Sequence, residues 1–173
     1  MTQTNSDTKK KTLYMTSAAL LAALICVTIA FILHIPFGVN GAYIHVGDAL
    51  IYLAASVLPL PYAMAAAAIG GAMADLLTAP AWAIFTFIIK ALLTLPFTSK
   101  QDTIITKRNV IAIFVAFPIS AIGYVLAEVI LYGSWAILVP SVTSSLIQAV
   151  GSGIVYIVLG IALDKMNFKK RIF

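Results

Sequence analysis

The feature that most constrains this chain is its near-continuous succession of apolar runs. The first extends from Leu13 to about Ile35 without an Asp, Glu, Lys or Arg. Further runs follow to about Leu163, interrupted at Pro59-Leu60-Pro61, Thr78-Ala79-Pro80, Thr98 to Asn109 and Gly133 to Val139. A bilayer span takes about 20 mostly apolar residues, so six spans use roughly 120 residues. The chain has 173, which leaves short loops and two tails. Only 10% of its residues are charged and 62% are hydrophobic, whereas soluble domains carry about 25% charged residues. A cytosolic enzyme, a disulfide scaffold and a disordered tail are therefore excluded. Cys26 is the one cysteine and lies within an apolar run.

The breaks set the expected elements. The run from Leu13 is too long for a signal h-region and reads as a retained helix 1. Helix 2 is expected over about Val46 to Leu58, stopped by the proline pair. Helix 3 follows over Tyr62 to Leu77, helix 4 over Ala81 to Phe97, and helix 5 over Val110 to Tyr132. Helix 6 carries Pro140 in its first turn and runs to about Leu163. The sequence thus predicts an all-α integral membrane protein, a compact bundle of six transmembrane helices forming one domain over residues 1–173. Residues 1–12 form a polar tail and 164–173 a basic one.

Charge sets the orientation. Six spans put both termini and the 2–3 and 4–5 connections on one side. That side holds Lys9, Lys10, Lys11, Lys100, Lys107, Arg108, Lys165, Lys169, Lys170 and Arg171, and the opposite loops hold no Lys or Arg. By the positive-inside rule the termini are cytoplasmic. The net charge of +5 is thus a topology signal, and no nucleic-acid partner is implied.

Ionisable groups inside spans are costly and usually face a bundle interior or a watery cavity. Asp48, Asp75, Glu128 and Gln148 all fall in the outer half of this topology, with Lys90 deepest, near the middle of helix 4. Tyr124, Glu128 and Tyr132 share one helical stripe, Ser141, Ser144, Ser145, Gln148 and Ser152 a second, and Trp82, Thr86 and Lys90 a third. Aromatic faces with a few convergent polar groups suit a small planar polar ligand. The outer loop from Ile35 to His45 adds Asn40, Tyr43 and His45, and its glycines Gly38 and Gly41 suit a lid. Blander roles stay open. The aromatics serve equally as a headgroup belt, Asp75 or Glu128 as a structural partner of Lys90, Asp48 as a helix cap, and the serines as packing glue. His34 and His45 lack partners at metal-ligand spacing, so no metal site is assigned. No Walker, HExxH or GxSxG pattern occurs, so the chain reads as a non-enzyme that cannot itself hydrolyse ATP. A membrane enzyme acting on lipid would need its catalytic groups near the cytoplasmic face, which the acidic residues are not. A stand-alone ion-coupled carrier, with Asp75, Glu128 and Lys90 as relay, remains the alternative.

Helix 1 carries two small-xxx-small pairs, Ala18/Ala22 and Ala19/Ala23, which flatten a face for close approach of another helix. These pairs, the Tyr43-Ile44-His45-Val46-Gly47-Asp48 entry to helix 2 and the Ala/Gly-rich helix 3 ending in Asp75-Leu76-Leu77 belong to one longer pattern. It continues in Phe87-Ile88-Ile89-Lys90-Ala91-Leu92 and in Gln148 with Gly151 and Gly153. In that order, over nearly the whole chain, it resembles the S component of energy-coupling factor (ECF) vitamin transporters. The resemblance implies a multi-pass protein of the bacterial cell membrane that binds a vitamin from outside. It also implies docking of Ala18, Ala19, Ala22 and Ala23 onto a T component, itself coupled to two ABC-type ATPases that use ATP; this chain binds no cofactor. The chain looks most like hydroxymethylpyrimidine or pyridoxine members, with riboflavin and pantothenate open. The expected binding residues are Asn40, His45, Asp48, Asp75, Trp82, Lys90, Tyr124, Glu128, Tyr132 and Gln148.

Overall fold

A computed structural model describes residues 2–32, 35–36 and 43–173, with side chains described for 6–32 and 45–173. It is helical almost throughout. Helix α1 covers Thr2–Phe31 and is followed by two short strands, β1 (Ile35–Pro36) and β2 (Tyr43–Ile44), paired antiparallel. Helices α2 (Gly47–Val57) and α3 (Leu60–Thr78) follow, then a 3-10 turn at Pro80–Trp82 and α4 (Ala83–Leu92). Next come α5 (Lys107–Tyr132), a second 3-10 turn at Trp135–Ile137, α6 (Leu138–Lys165) and the short α7 (Phe168–Ile172).

Four helical stretches are long and apolar enough to cross a membrane: Ser6–Phe31, Leu60–Thr78, Lys107–Tyr132 and Trp135–Lys165. The other two expected spans exist as helices but are short. At 1.5 Å per residue, α2 and α4 each rise about 15–17 Å, roughly half the hydrocarbon thickness. Helix 4 was expected to reach Phe97 and instead ends at Leu92. Pro96 disfavours helical backbone at Leu95, and Thr94 Oγ1 donates to Ala91 O at 2.7 Å, drawing the chain into tight turns.

The tails also differ from expectation. The polar N-terminal residues continue α1 rather than forming a separate tail, and α6 runs through Asp164 to Lys165 before a left-handed Asn167 turns the chain into α7. Tyr14 of α1 meets the C-terminal residue, its ring stacking on that of Phe173 at 5.7 Å.

Below the short helices, at the end that carries Phe173, the irregular segment 98–106 is partly buried, and polar side chains tether its backbone beside the apolar packing of Ile104 and Ile105. Asn109, with none of its surface exposed, accepts from Thr98 N at 2.8 Å and donates to Thr98 O and Ile104 O at 3.0 and 2.9 Å. Asp164 accepts from Ile104 N and Ile105 N at 2.7 and 2.9 Å. Lys169 Nζ donates to the carbonyls of Ser56, Ser99 and Gln101 at 2.9, 2.6 and 2.6 Å. Buried backbone away from water requires such partners.

Side-chain size sets helix spacing. Helix α1 packs closely on α3, where a Cβ at Gly70 would stand only 2.6 Å from Ala22 O. Helix α3 packs on α4, α5 on α6, and α6 on α2. The α2–α6 seam buries Tyr52 and Tyr156, whose rings meet edge-on at 6.0 Å, and Tyr156 OH hydrogen-bonds Ser56 Oγ at 2.8 Å. With this end sealed, the remaining polar side chains of α2, α4, α5 and α6 converge at the other.

Candidate functional site

At the end opposite the termini a cavity of about 70 Å³ opens between α1, α3, α4, α5 and α6. Helices α3, α4, α5 and α6 turn polar groups toward it, since ionisable and polar side chains are costly against lipid. Helix α4 brings Thr86 and Lys90, with Trp82 from the turn before it; α5 brings Ser120, Tyr124 and Glu128; α6 brings Ser141, Ser144, Ser145 and Gln148; Asp75, Ile29 and His45 complete the wall.

The deepest feature is an ion pair. Lys90 Nζ lies 2.6 Å from Asp48 Oδ1, and both side chains are almost wholly excluded from solvent. Gln148 Nε2 donates to the other oxygen, Asp48 Oδ2, at 2.8 Å. A carboxylate accepts only, so the amide group facing Asp48 is the NH2. His45 Nδ1 accepts from Gly47 N at 3.0 Å, and its Nε2 lies 3.5 Å from Gln148 Nε2. Asp48 therefore organises the floor from within the wall rather than lining the cavity. It draws Lys90 from α4 and Gln148 from α6 onto the N-terminus of α2, where the helix dipole also favours its charge.

The sides are aromatic. Lys90 Nζ stands 5.3 Å from the centre of the Tyr124 ring, within cation–π range. Thr86 Oγ1 and Tyr124 OH are 3.5 Å apart, and the Trp82 ring lies 6.0 Å from Tyr124. Farther out, Tyr132 is 6.2 Å from Trp82 and largely exposed, so it belongs to the rim and not to the cavity wall.

Glu128 is different. It is 6% exposed and lines the cavity, and its Oε2 has no hydrogen-bond partner among the described residues. The Ser141 hydroxyl is a polar neighbour on the wall. Ser144 Oγ is turned back to Ser141 O at 2.9 Å.

Of the ten residues expected from sequence, His45, Asp75, Trp82, Lys90, Tyr124, Glu128 and Gln148 share this wall, Asp48 stands just behind it and Tyr132 at its rim. Asn40, with most of the expected lid, lies outside the described residues. The partner of Lys90 is Asp48, not Asp75 or Glu128. Six wall residues lie outside those ten: Thr86, Ser141, Ser144 and Ser145 belong to polar stripes read from the spacing, and Ser120 and Ile29 had not been singled out. Ser120 extends the Tyr124–Glu128 stripe one turn deeper, a signal the spacing carried, whereas Ile29 is one apolar residue among many. Among the described residues no cluster of three His, Cys, Asp or Glu side chains could hold a metal.

On the flank, the four alanines of α1 divide. Ala18 is buried and Ala22 half-buried against α3, while Ala19 and Ala23 are exposed. All four border one apolar groove of about 600 Å³ with Met15, Ile69 and Met73.

A polytopic helical bundle with one polar, aromatic-sided cavity is the build of a membrane protein that holds a small solute. The sequence matches the family described as ECF-type riboflavin transporter, S component, over residues 9–165, and the chain belongs to that family. It is thus the substrate-binding subunit of an ECF transporter. No curated protein matches it.

Proposed function

We propose that the chain captures a single-ring B-vitamin or precursor, of the hydroxymethylpyrimidine or pyridoxine kind, from outside a bacterial cell membrane. It releases the ligand inward when docked on a T component driven by two ABC-type ATPases. The chain forms one membrane domain that crosses six times with both termini cytoplasmic. Helix α4 completes its crossing through the polar-tethered segment that follows it, and α2 passes to α3 through Leu58 and Pro59. The positive-inside distribution of Lys and Arg supports that orientation, and the stacked Tyr14 and Phe173 rings support termini on one side. ATP is used by the partners, and this subunit needs no cofactor and catalyses no reaction.

The observation that carries the substrate reading is the cavity itself. Its volume of about 70 Å³ lies well below the roughly 300–1,000 Å³ of pockets for drug-sized ligands. Its wall offers carboxylate, amide, hydroxyl and aromatic groups, and the single ammonium is held by Asp48. An uncommitted arginine, the group best suited to an anionic head, does not occur among the lining residues. A neutral or cationic single ring fits these constraints. The second reading is riboflavin, favoured by the name of the matching family; it requires the cavity to widen substantially for a tricyclic ring. Docking is supported by the exposed Ala19 and Ala23, which leave a flat apolar strip where another helix can approach closely.

A thermal-shift panel on the detergent-purified chain tests the substrate. A ligand at a hundredfold over its Kd stabilises the folded state by about 2.7 kcal/mol. Hydroxymethylpyrimidine or pyridoxine should raise the unfolding midpoint while biotin and pantothenate do not. A shift with riboflavin alone would replace the single-ring reading.

A further inference from the structure

We infer that Glu128 sets the ligand specificity of this cavity by demanding a hydrogen-bond donor, most simply a protonated or amino-bearing ring edge, on the side of the ligand that meets α5. This rests on the single-ring reading above and adds the polarity and direction of recognition.

The argument begins from an imbalance. A buried carboxylate oxygen without a partner is costly, because desolvation is not offset. Native interiors carry few such atoms. Glu128 lines the cavity and is 6% exposed, and its buried Oε2 lacks a partner among the described residues. The nearest cation cannot correct this, since Lys90 is committed to Asp48 at 2.6 Å. The amide NH2 of Gln148 is committed to the same carboxylate at 2.8 Å. Around Glu128 the wall supplies serines, and Ser144 directs its hydroxyl to the Ser141 carbonyl at 2.9 Å. No described side chain completes Oε2, and the geometry leaves that place to the ligand.

A carboxylate accepts and never donates, so the ligand edge facing it must carry N–H or O–H. A charge-assisted bond of this kind is roughly twice as strong as a neutral one. Rejection is equally strong: a ligand presenting an ether or carbonyl oxygen there leaves Oε2 desolvated against another lone pair. A site built to bond a donor discriminates against analogues lacking it far more sharply than an apolar pocket does.

The test is a matched pair measured by calorimetry on the full chain in detergent: 4-amino-5-hydroxymethyl-2-methylpyrimidine and the same ring with 4-methoxy in place of 4-amino. The unaltered chain should bind the amino ring at least about tenfold tighter, as the loss of a charge-assisted bond implies. In Glu128→Gln the ratio should collapse to near one, because the amide can turn its NH2 toward the methoxy oxygen. Equal affinities in the unaltered chain, or an unchanged ratio in Glu128→Gln, would overturn the assignment while leaving the single-ring reading intact. Binding of neither ring by the unaltered chain would overturn that reading and this inference with it. If Glu128→Gln does not fold, the comparison in the unaltered chain alone still decides whether a donor is required.

Discussion

Lys90 Nζ and Asp48 Oδ1 stand 2.6 Å apart with their side chains almost completely buried, and through this contact α4 is tied to the first turn of α2. The pair neutralises the floor of the cavity, and Gln148 joins it from α6. Floor and fold are therefore the same structure: the groups that shape the binding site also hold three helices together.

Removing one member of the pair should destabilise the chain strongly. Breaking a buried ion pair typically costs about 3–5 kcal/mol, because the survivor stays buried and uncompensated. Lys90→Met should lower the unfolding midpoint in detergent more than the double variant Asp48→Leu/Lys90→Met, which removes both charges. A double variant less stable than Lys90→Met would contradict this account of the floor.

The aromatic sides predict a graded effect on affinity. Aromatic pairs contribute about 0.5–1.5 kcal/mol beyond area burial, and the Trp82 and Tyr124 rings, tilted against each other at 6.0 Å, both line the cavity. Trp82→Ala and Tyr124→Ala, each removing a ring from the cavity wall, should each weaken ligand binding by about tenfold or less. Tyr124→Phe should be milder, and Tyr132→Ala, at the rim, milder still. Calorimetric titration ranks them; a Tyr132→Ala loss exceeding that of Trp82→Ala would move the site outward.

The alanine rows of α1 separate docking from folding. Ala19→Trp and Ala23→Trp place a large ring on the exposed strip and should abolish co-purification with a T component while leaving ligand affinity unchanged. Gly70→Val acts on the other side of the same helix pair. Its Cβ would begin 2.6 Å from Ala22 O, a backbone atom that cannot step aside, so the chain itself should lose stability. Normal co-purification of both tryptophan variants would place the partner elsewhere.

At the end that carries the termini, Asn109 supports irregular backbone through three hydrogen bonds. Asn109→Ala leaves Thr98 and Ile104 backbone groups without these partners, at about 1–3 kcal/mol for each buried group left unsatisfied. A lowered unfolding midpoint with little change in ligand affinity is expected, since the cavity lies at the opposite end. Proteolysis within 98–105 should accelerate in parallel; an unchanged cleavage rate would show that Asp164 and Lys169 suffice to hold the segment.

Much of this was legible in the sequence, for physical reasons that also explain the misses. Helix existence followed from apolar runs and proline breaks, and the convergence of polar groups followed from the cost of burying them in lipid. Helical spacing placed Tyr124 and Glu128 on one stripe, and they line one wall. What spacing cannot give is contact between helices. Lys90 pairs with Asp48, 42 residues away, and no local pattern distinguishes that carboxylate from Asp75 or Glu128. The early end of α4 at Leu92 was hidden because the residues after it are as apolar as those before; Pro96 was the available clue. Likewise Ala18 and Ala19 are equivalent in composition, and only the packing on α3 shows that one row is spent internally and the other is exposed.

The most direct test of the central claim is vitamin uptake by proteoliposomes, with the ligand identified by thermal shift. Three preparations are compared: the chain alone with an ion gradient, the chain with its T component and ATPases without ATP, and the same complex with ATP inside. Accumulation only in the third would establish a capture subunit dependent on its partners. Accumulation by the chain alone on an ion gradient would contradict it and make the chain a self-sufficient carrier.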